Sequence, residues 1–206
     1  MHVLGYFIDT TSAQLRDFLT RQRRDRLRRV HEMGQRLASL GVPVDVAPIA
    51  ADAARGRSVG RPQIADALVA AGHVATRNDA FDRYLQSGGP AYVPRQGTRP
   101  EQVIGIIHDA GGLASLAHPG VSRRDDLLPA LVDAGLDAIE ARHSDHDAPT
   151  EARYRTLARE MGILVTGGSD FHGSDAGHRV STMGQVTLPR EDFEALLAFR
   201  TGGRQL

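Results

Sequence analysis

The hydrophobic pattern divides the chain into a helical stretch and an alternating one. Val3, Leu4, Tyr6, Phe7 and Ile8 form an apolar run that predicts a strand. A core strand at the first residues is unusual, because termini are commonly loose; it predicts a chain that begins in the middle of a fold. Asp9-Thr10-Thr11-Ser12 supplies N-cap residues. From there to about Leu40, Leu15, Phe18, Leu19, Leu27, Val30, Leu37 and Leu40 make the apolar stripe of one long helix, ended by Gly41-Val42-Pro43. A second helix opens at Arg61-Pro62, with Pro in its first turn, and runs to about Ala71. Another, capped by Thr76 or Asn78, reaches Tyr84 and Leu85 before Gly88-Gly89-Pro90 breaks it, and Ala91 to Pro94 is extended. Residues 10–97 contain no alternating β pattern and read as a helical insert or lid.

From Arg99 the pattern becomes a regular alternation of helix and strand. Helices are predicted from Pro100 to Ala110, Arg124 to Ala134, Thr150 to Met161 and Arg190 to Arg200. Strands are predicted from Leu113 to Ala117, over Ala138, Ile139 and Glu140, from Ile163 to Thr166, and from Gly184 to Thr187. Helices between short apolar strands imply parallel strands with right-handed crossovers. The fold class is therefore α/β, with a strand at 1–9, the insert at 10–97 and the alternating part at 98–206.

Composition narrows the chemistry. The chain has 206 residues, 41% of them hydrophobic, and a formal charge of zero. No global basic field attracts nucleic acid. All 25 basic residues are Arg, which excludes a catalytic lysine or Schiff base. There is no Cys, so no disulfide and no thiolate, and any metal must be held by His, Asp or Glu. Nothing resembles a signal peptide or a membrane span, and the expected location is cytoplasmic. Arg21, Arg23, Arg24, Arg26, Arg28 and Arg29 make the middle of the first helix very basic; a solvated face is the plain reading, with a nucleic-acid contact as the other.

The chemistry-bearing residues gather after strands. Leu116-Ala117-His118-Pro119-Gly120 ends one apolar run, and Gly167-Gly168-Ser169-Asp170-Phe171-His172 ends another. Strand ends are where α/β enzymes place their chemistry. Asp170 and His172 are two apart and share a face on an extended backbone. Imidazole and carboxylate suit Zn, Mn or Fe. His143 and His146 follow the strand at 138–140, while His2 opens the first strand at its N-terminal end, so topology alone does not place it. Each also has a plainer reading: a terminal residue for His2, a structural turn for His118, loop polars for His143 and His146. His31, His73, His108 and His178 are assigned to helix surfaces or loops.

His118-Pro119-Gly120 followed by Gly-Ser-Asp-Phe-His resembles the PHP (polymerase and histidinol phosphatase) family. The nearer branch is that of nucleoside 3′,5′-bisphosphate phosphatases and 5′–3′ exoribonucleases. His2 to Tyr6, Gly60 to Ala65, Ala80 to Leu85 and Pro90 to Pro94 carry that likeness in order over nearly the whole chain. The resemblance implies the C-terminal portion of a distorted (β/α)7 TIM-like barrel with a helical insert. It implies two or three divalent metal ions (Mn, Zn or Fe), with His2 and His118 on one, Asp170 on a second and His172 on a third. By the same likeness Arg61 clamps phosphate, and His143 and His146 line the substrate pocket, binding phosphate or protonating the leaving oxygen.

The family's opening His-x-His strand, Thr-Asp-His turn and bridging Glu have no counterpart after residue 1, and Gln63 stands where the family has His. The expectation is an N-terminally truncated enzyme that binds metal weakly, has limited stability and has little activity. The implied reaction is hydrolysis of phosphate esters of small nucleotides or short RNA 5′ ends by metal-activated water, with no membrane and no stable protein partner. The alternatives are a histidinol-phosphatase-like monoesterase and a metal-poor phosphate-binding module.

Overall fold

The computed structural model describes residues 1–57, 59–171 and 182–202. The chain forms two compact units, one of Met1–Leu15 with Thr98–Leu206 and one of Arg16–Gly97.

The helical unit is built on α1 (Ala13–Ser39), α2 (Ala47–Ala54), α3 (Arg61–Ala70) and α4 (Arg77–Ala80). Val30, Met33 and Leu37 of α1 fall at helical spacing and are fully buried with Ile64, Ala65 and Leu68 of α3, and with Leu85, Ala91 and Val93. The buried stripe is narrower than the sequence suggests: Leu19 and Leu40 are exposed, and Met33 is buried in the stripe. The periodicity does not announce α2; Pro48 lies in its first turn, where a missing N–H costs nothing. Thr76, rather than Asn78, caps α4: its hydroxyl accepts from the Asp79 N–H at 3.1 Å and the Asp79 carboxylate accepts from the Thr76 N–H at 2.9 Å. The chain then widens into one π-helical turn, Phe81–Leu85.

The other unit centres on a sheet of β1 (Val3–Tyr6), β2 (Leu113–Leu116), β3 (Ala138–His143) and β4 (Leu164–Gly168), in that spatial order. Around it lie α5 (Pro100–Asp109), α6 (Pro119–Ser122), α7 (Leu128–Asp133), α8 (Ala148–Glu160) and α9 (Arg190–Gly202). Ile104, Ile107, Leu116, Leu128, Leu131, Ile139 and Tyr154 form its main core. β2, β3 and β4 run parallel, as the alternation predicts, but β1 is antiparallel to β2, with Val3 opposite Leu116 and Tyr6 opposite Leu113. That reversal sets the N-terminal end of β1 beside the C-terminal end of β2.

No strand forms at Gly184–Thr187. Gly184 takes a positive φ of 78° in a turn there, and the few apolar residues cannot sustain a ladder.

The sheet is rolled. Ser115 on β2 and Thr166 on β4 are separated by β3, a gap of about 9.5 Å in a flat sheet. Their hydroxyls nevertheless meet at 2.7 Å in a fully buried pair, which two such short side chains can do only on a concave face. At the sheet's other end, Asp137 accepts from the Ala114 N–H at 2.7 Å and lies 2.9 Å from His108 Nε2, which makes His108 a structural partner rather than a surface polar.

Candidate active site

The antiparallel pairing of β1 settles what His2 does. The Ala117 N–H donates to the His2 carbonyl at 3.1 Å, so the ladder continues one step past each strand. His2 Nδ1 then lies 3.2 Å from His118 Nε2, with the two rings edge to face. His118 itself is bent into place. It has φ 31° and ψ 60°, a left-handed conformation unfavourable for a residue with a Cβ, immediately before Pro119 opens α6. Its N–H donates to Glu140 Oε2 at 2.8 Å, which fixes the turn to β3. Asp170, two residues beyond β4, also has a positive φ, 48°. Among the described residues, two of the four non-glycine positions with positive φ are thus sequence-predicted ligands, as when strain is held at a working site.

β3 supplies the centre. A register shift between Glu140 and Arg142 breaks its regular pairing with β4. The shift presses the Arg142 backbone against Gly167, where an added Cβ would lie 2.7 Å from the Arg142 carbonyl; only glycine fits. His143 ends the strand with 3% of its surface exposed. Its Nδ1 accepts from the Asp145 N–H at 3.1 Å, so the ring proton sits on Nε2 when the imidazole is neutral. Nε2 is buried with no hydrogen-bond partner among the described residues, 3.7 Å from Asp170 Oδ2. Burial pushes the His143 pKa down, more strongly than the Asp170 and Asp145 carboxylates push it up. Burial thus favours the neutral ring, with Nε2 near the carboxylate but not hydrogen-bonded to it.

His146 has a different arrangement. Its Nδ1–H donates to the Ala141 carbonyl at 2.8 Å, and its Nε2 accepts from the Gly120 N–H at 3.2 Å. Both ring nitrogens are engaged by backbone. The ring stacks on Tyr154, whose hydroxyl donates to Asp125 at 3.0 Å. Gly120 is required here, since a Cβ on it would lie 2.8 Å from His146 Nε2.

Glu140 is the residue that sequence reasoning missed. It is 5% exposed, and burial, reinforced by Asp170, raises its pKa from 4.5 to about 7, against the hydrogen bond from His118. Its signal was present: a carboxylate within the apolar run Ala138-Ile139-Glu140-Ala141.

The structure thus brings together His2 with His118 and His143 with Asp170, and sets Glu140 and His146 against the same strand end. Arg61 belongs to the helical unit, where it opens α3 and donates to the Leu85 carbonyl at 3.1 Å. His172 lies outside the described residues. Two nitrogens bound to one Zn²⁺ at 2.0–2.1 Å would be roughly 2.9–3.4 Å apart, so the His2–His118 spacing fits a shared cation. On His118 it is Nε2 that faces His2, while Nδ1 is buried with no hydrogen-bond partner among the described residues. No group of three or more His, Asp or Glu side chains with metal-holding geometry occurs among the described residues. No helix there is long and apolar enough to cross a membrane.

Imidazoles and carboxylates thus collect at one end of a rolled α/β sheet, side chains whose chemistry suits holding cations and moving protons. No family model matches the chain. It is 37% identical over 180 residues to the 5′-3′ exoribonuclease Rnm of Salmonella typhimurium, an alignment covering 84% of this chain and 60% of that one. It is 32% identical over 193 residues to a 3′,5′-nucleoside bisphosphate phosphatase of Chromobacterium violaceum, covering 86% and 66%. The chain thus spans 60% to 66% of the length of these two relatives. Its fold matches a structure from Bifidobacterium adolescentis, provisionally described as a metal-dependent phosphoesterase, with TM-score 0.77 and 32% identity over 96% of this chain and 70% of that one. The chain belongs to the PHP family of metal-dependent phosphoesterases.

Proposed function

We propose that this chain works as a phosphoesterase on small nucleotides, 3′,5′-bisphosphates or the 5′ ends of short RNA, in the cytoplasm. The observation that carries this reading is the buried His143 Nε2, 3.7 Å from Asp170 Oδ2, at the same end of the sheet as the His2–His118 pair. His2 and His118 would hold one divalent cation, Mn, Zn or Fe; Asp170, and His172 by the family resemblance, would hold others. Such cations supply charge neutralisation of the phosphate and activation of water.

The chain's own residues do the rest. His143 donates its Nε2–H to a phosphoryl oxygen, a hydrogen bond strengthened by the dry surroundings of the ring. Glu140 anchors the His118 turn through the backbone N–H, so that the His118 ring faces His2. His146 braces α6 against β3 and keeps the loop after β3 in register. By the family resemblance Arg61 binds phosphate, for which its planar guanidinium suits a bidentate contact. The rolled sheet fits the concave wall of the distorted barrel that the family resemblance implies.

The test is phosphate release from adenosine 3′,5′-bisphosphate in Mn²⁺ and in EDTA. Metal-dependent release that favours the bisphosphate over p-nitrophenyl phosphate is expected. Release from the generic ester alone would overturn the nucleotide assignment.

A further inference from the structure

The arginines of the helical unit form a connected series. Arg23, Arg26 and Arg29 recur at three-residue spacing on α1, covering about 9 Å of helix axis. Arg95 acts electrostatically on both Arg26 and Arg29, Arg23 acts on Arg26, and Arg61 acts on Arg29. Two backbone contacts from α1 position the segment that carries Arg95: Arg29 Nε donates to the Val93 carbonyl at 3.0 Å, and Arg36 donates to the Tyr92 carbonyl. The Arg61 guanidinium lies over the rings of Phe81 and Tyr92, 5.6 and 5.5 Å from their centroids. Phe81 opens the π-helical turn, a distortion frequent at functional sites.

Compensating anions are few. Arg29 is only 6% exposed, and its two terminal nitrogens have no hydrogen-bond partner among the described residues. The one carboxylate that acts on it, Asp25, is already engaged by Arg28 at 2.6 Å. Glu32, the other acid of this stretch, is also paired with Arg28, at 2.7 Å. Arg23, Arg26 and Arg57 together face a cavity of about 170 Å³ whose lining contains no carboxylate, although Arg57 also reaches Asp52 at 3.7 Å. A buried cation surrounded mainly by like charge is unfavourable unless an anion joins it.

We propose that Arg23, Arg26, Arg29, Arg61 and Arg95 form a track for the backbone phosphates of short single-stranded RNA. The ligand is a chain of phosphates rather than one, because the guanidinium series is longer than a single phosphate. The proposal rests on the phosphoesterase reading for its choice of RNA, but its test does not require turnover.

The experiment is fluorescence anisotropy of 5′-phosphorylated, 3′-labelled oligoribonucleotides of two, four and six nucleotides, in EDTA across a salt series. Affinity should rise with length, and the salt dependence should steepen by about 0.7 per added phosphate contact. Arg95→Gln and Arg26→Gln, at positions not needed for the core, should each weaken hexamer binding about five- to tenfold and lower the salt slope by about one contact. Circular dichroism should show an unchanged fold. Length-independent affinity, or hexamer binding untouched when Arg26→Gln and Arg95→Gln are combined in one protein, would overturn the track, whether or not the bisphosphate is hydrolysed. Tight, length-dependent, Arg95-sensitive binding would establish it even if Mn²⁺ released no phosphate, and that second result would count against the sheet-end reading alone.

Discussion

At the sheet end, Glu140 and His143 are short, buried side chains pushed toward neutrality: Glu140 up to about 7 and His143 down. In the helical unit the corresponding groups are guanidiniums that keep their charge through burial, with Arg29 nine-tenths out of water and Arg95 and Arg61 acting on it. The first arrangement can exchange protons and coordinate a cation. The second can only bind anions. The contrast separates chemistry from affinity: changes at the sheet end should alter turnover and pH dependence, and changes among the arginines should alter binding and salt dependence.

The largest expected effect comes from removing a ligand or the carboxylate facing His143. His118→Ala and Asp170→Asn should each lower kcat for adenosine 3′,5′-bisphosphate at least about a hundredfold with KM little changed, as read by phosphate release. Next is the pH dependence of stability. Because the folded pKa of Glu140 lies above its unfolded value of 4.5, a penalty sets in as pH rises past 4.5 and is complete above about 7. It amounts to roughly 3 kcal/mol at full strength. Urea melts in EDTA should show the wild type losing stability relative to Glu140→Gln between pH 5 and pH 8, a comparison in which the opposite contribution of His143, whose pKa is pushed down, is common to both proteins and Gln keeps an acceptor for the His118 N–H. Divalent cation should also reverse the loss, which would tie Glu140 to the metal centre.

Gly120→Ala tests the bracing of the site. Its Cβ would press on the His146 ring, and about 1–3 kcal/mol of stability should be lost, with the amide resonance of residue 120 shifted in NMR. The smallest stability effect belongs to Arg95→Gln, within about 0.5 kcal/mol of wild type, although RNA affinity should fall severalfold. That dissociation would sharpen the comparison; a large stability loss at Arg95 would blur it.

Much of the sheet-end site was legible because strand ends carry polar residues after apolar runs. His118 and Asp170 stand out on that pattern alone, and the parallel order of β2, β3 and β4 follows from the intervening helices. His2 was legible as a residue but not as a position, since only the antiparallel register of β1 sets it against His118. Glu140 was hidden because a buried strand glutamate looks like one polar interruption in an apolar run. The different situations of His143 and His146 depend on which backbone groups their nitrogens meet, a matter of loop geometry with no sequence period. In the helical unit the basic run on α1 reads as a solvated face. The burial of Arg29 emerges only when Val93 and Arg95 fold back on the helix.

The division between the units is tested most directly by steady-state kinetics of phosphate release from adenosine 3′,5′-bisphosphate in Mn²⁺, comparing Asp170→Asn with the Arg26→Gln, Arg95→Gln pair. The account predicts a collapse of kcat at near-normal KM in the first, and near-normal kcat and KM for this mononucleotide in the second, whose loss is confined to hexamer binding. Full turnover by Asp170→Asn, or a loss of kcat confined to the arginine variants, would contradict it.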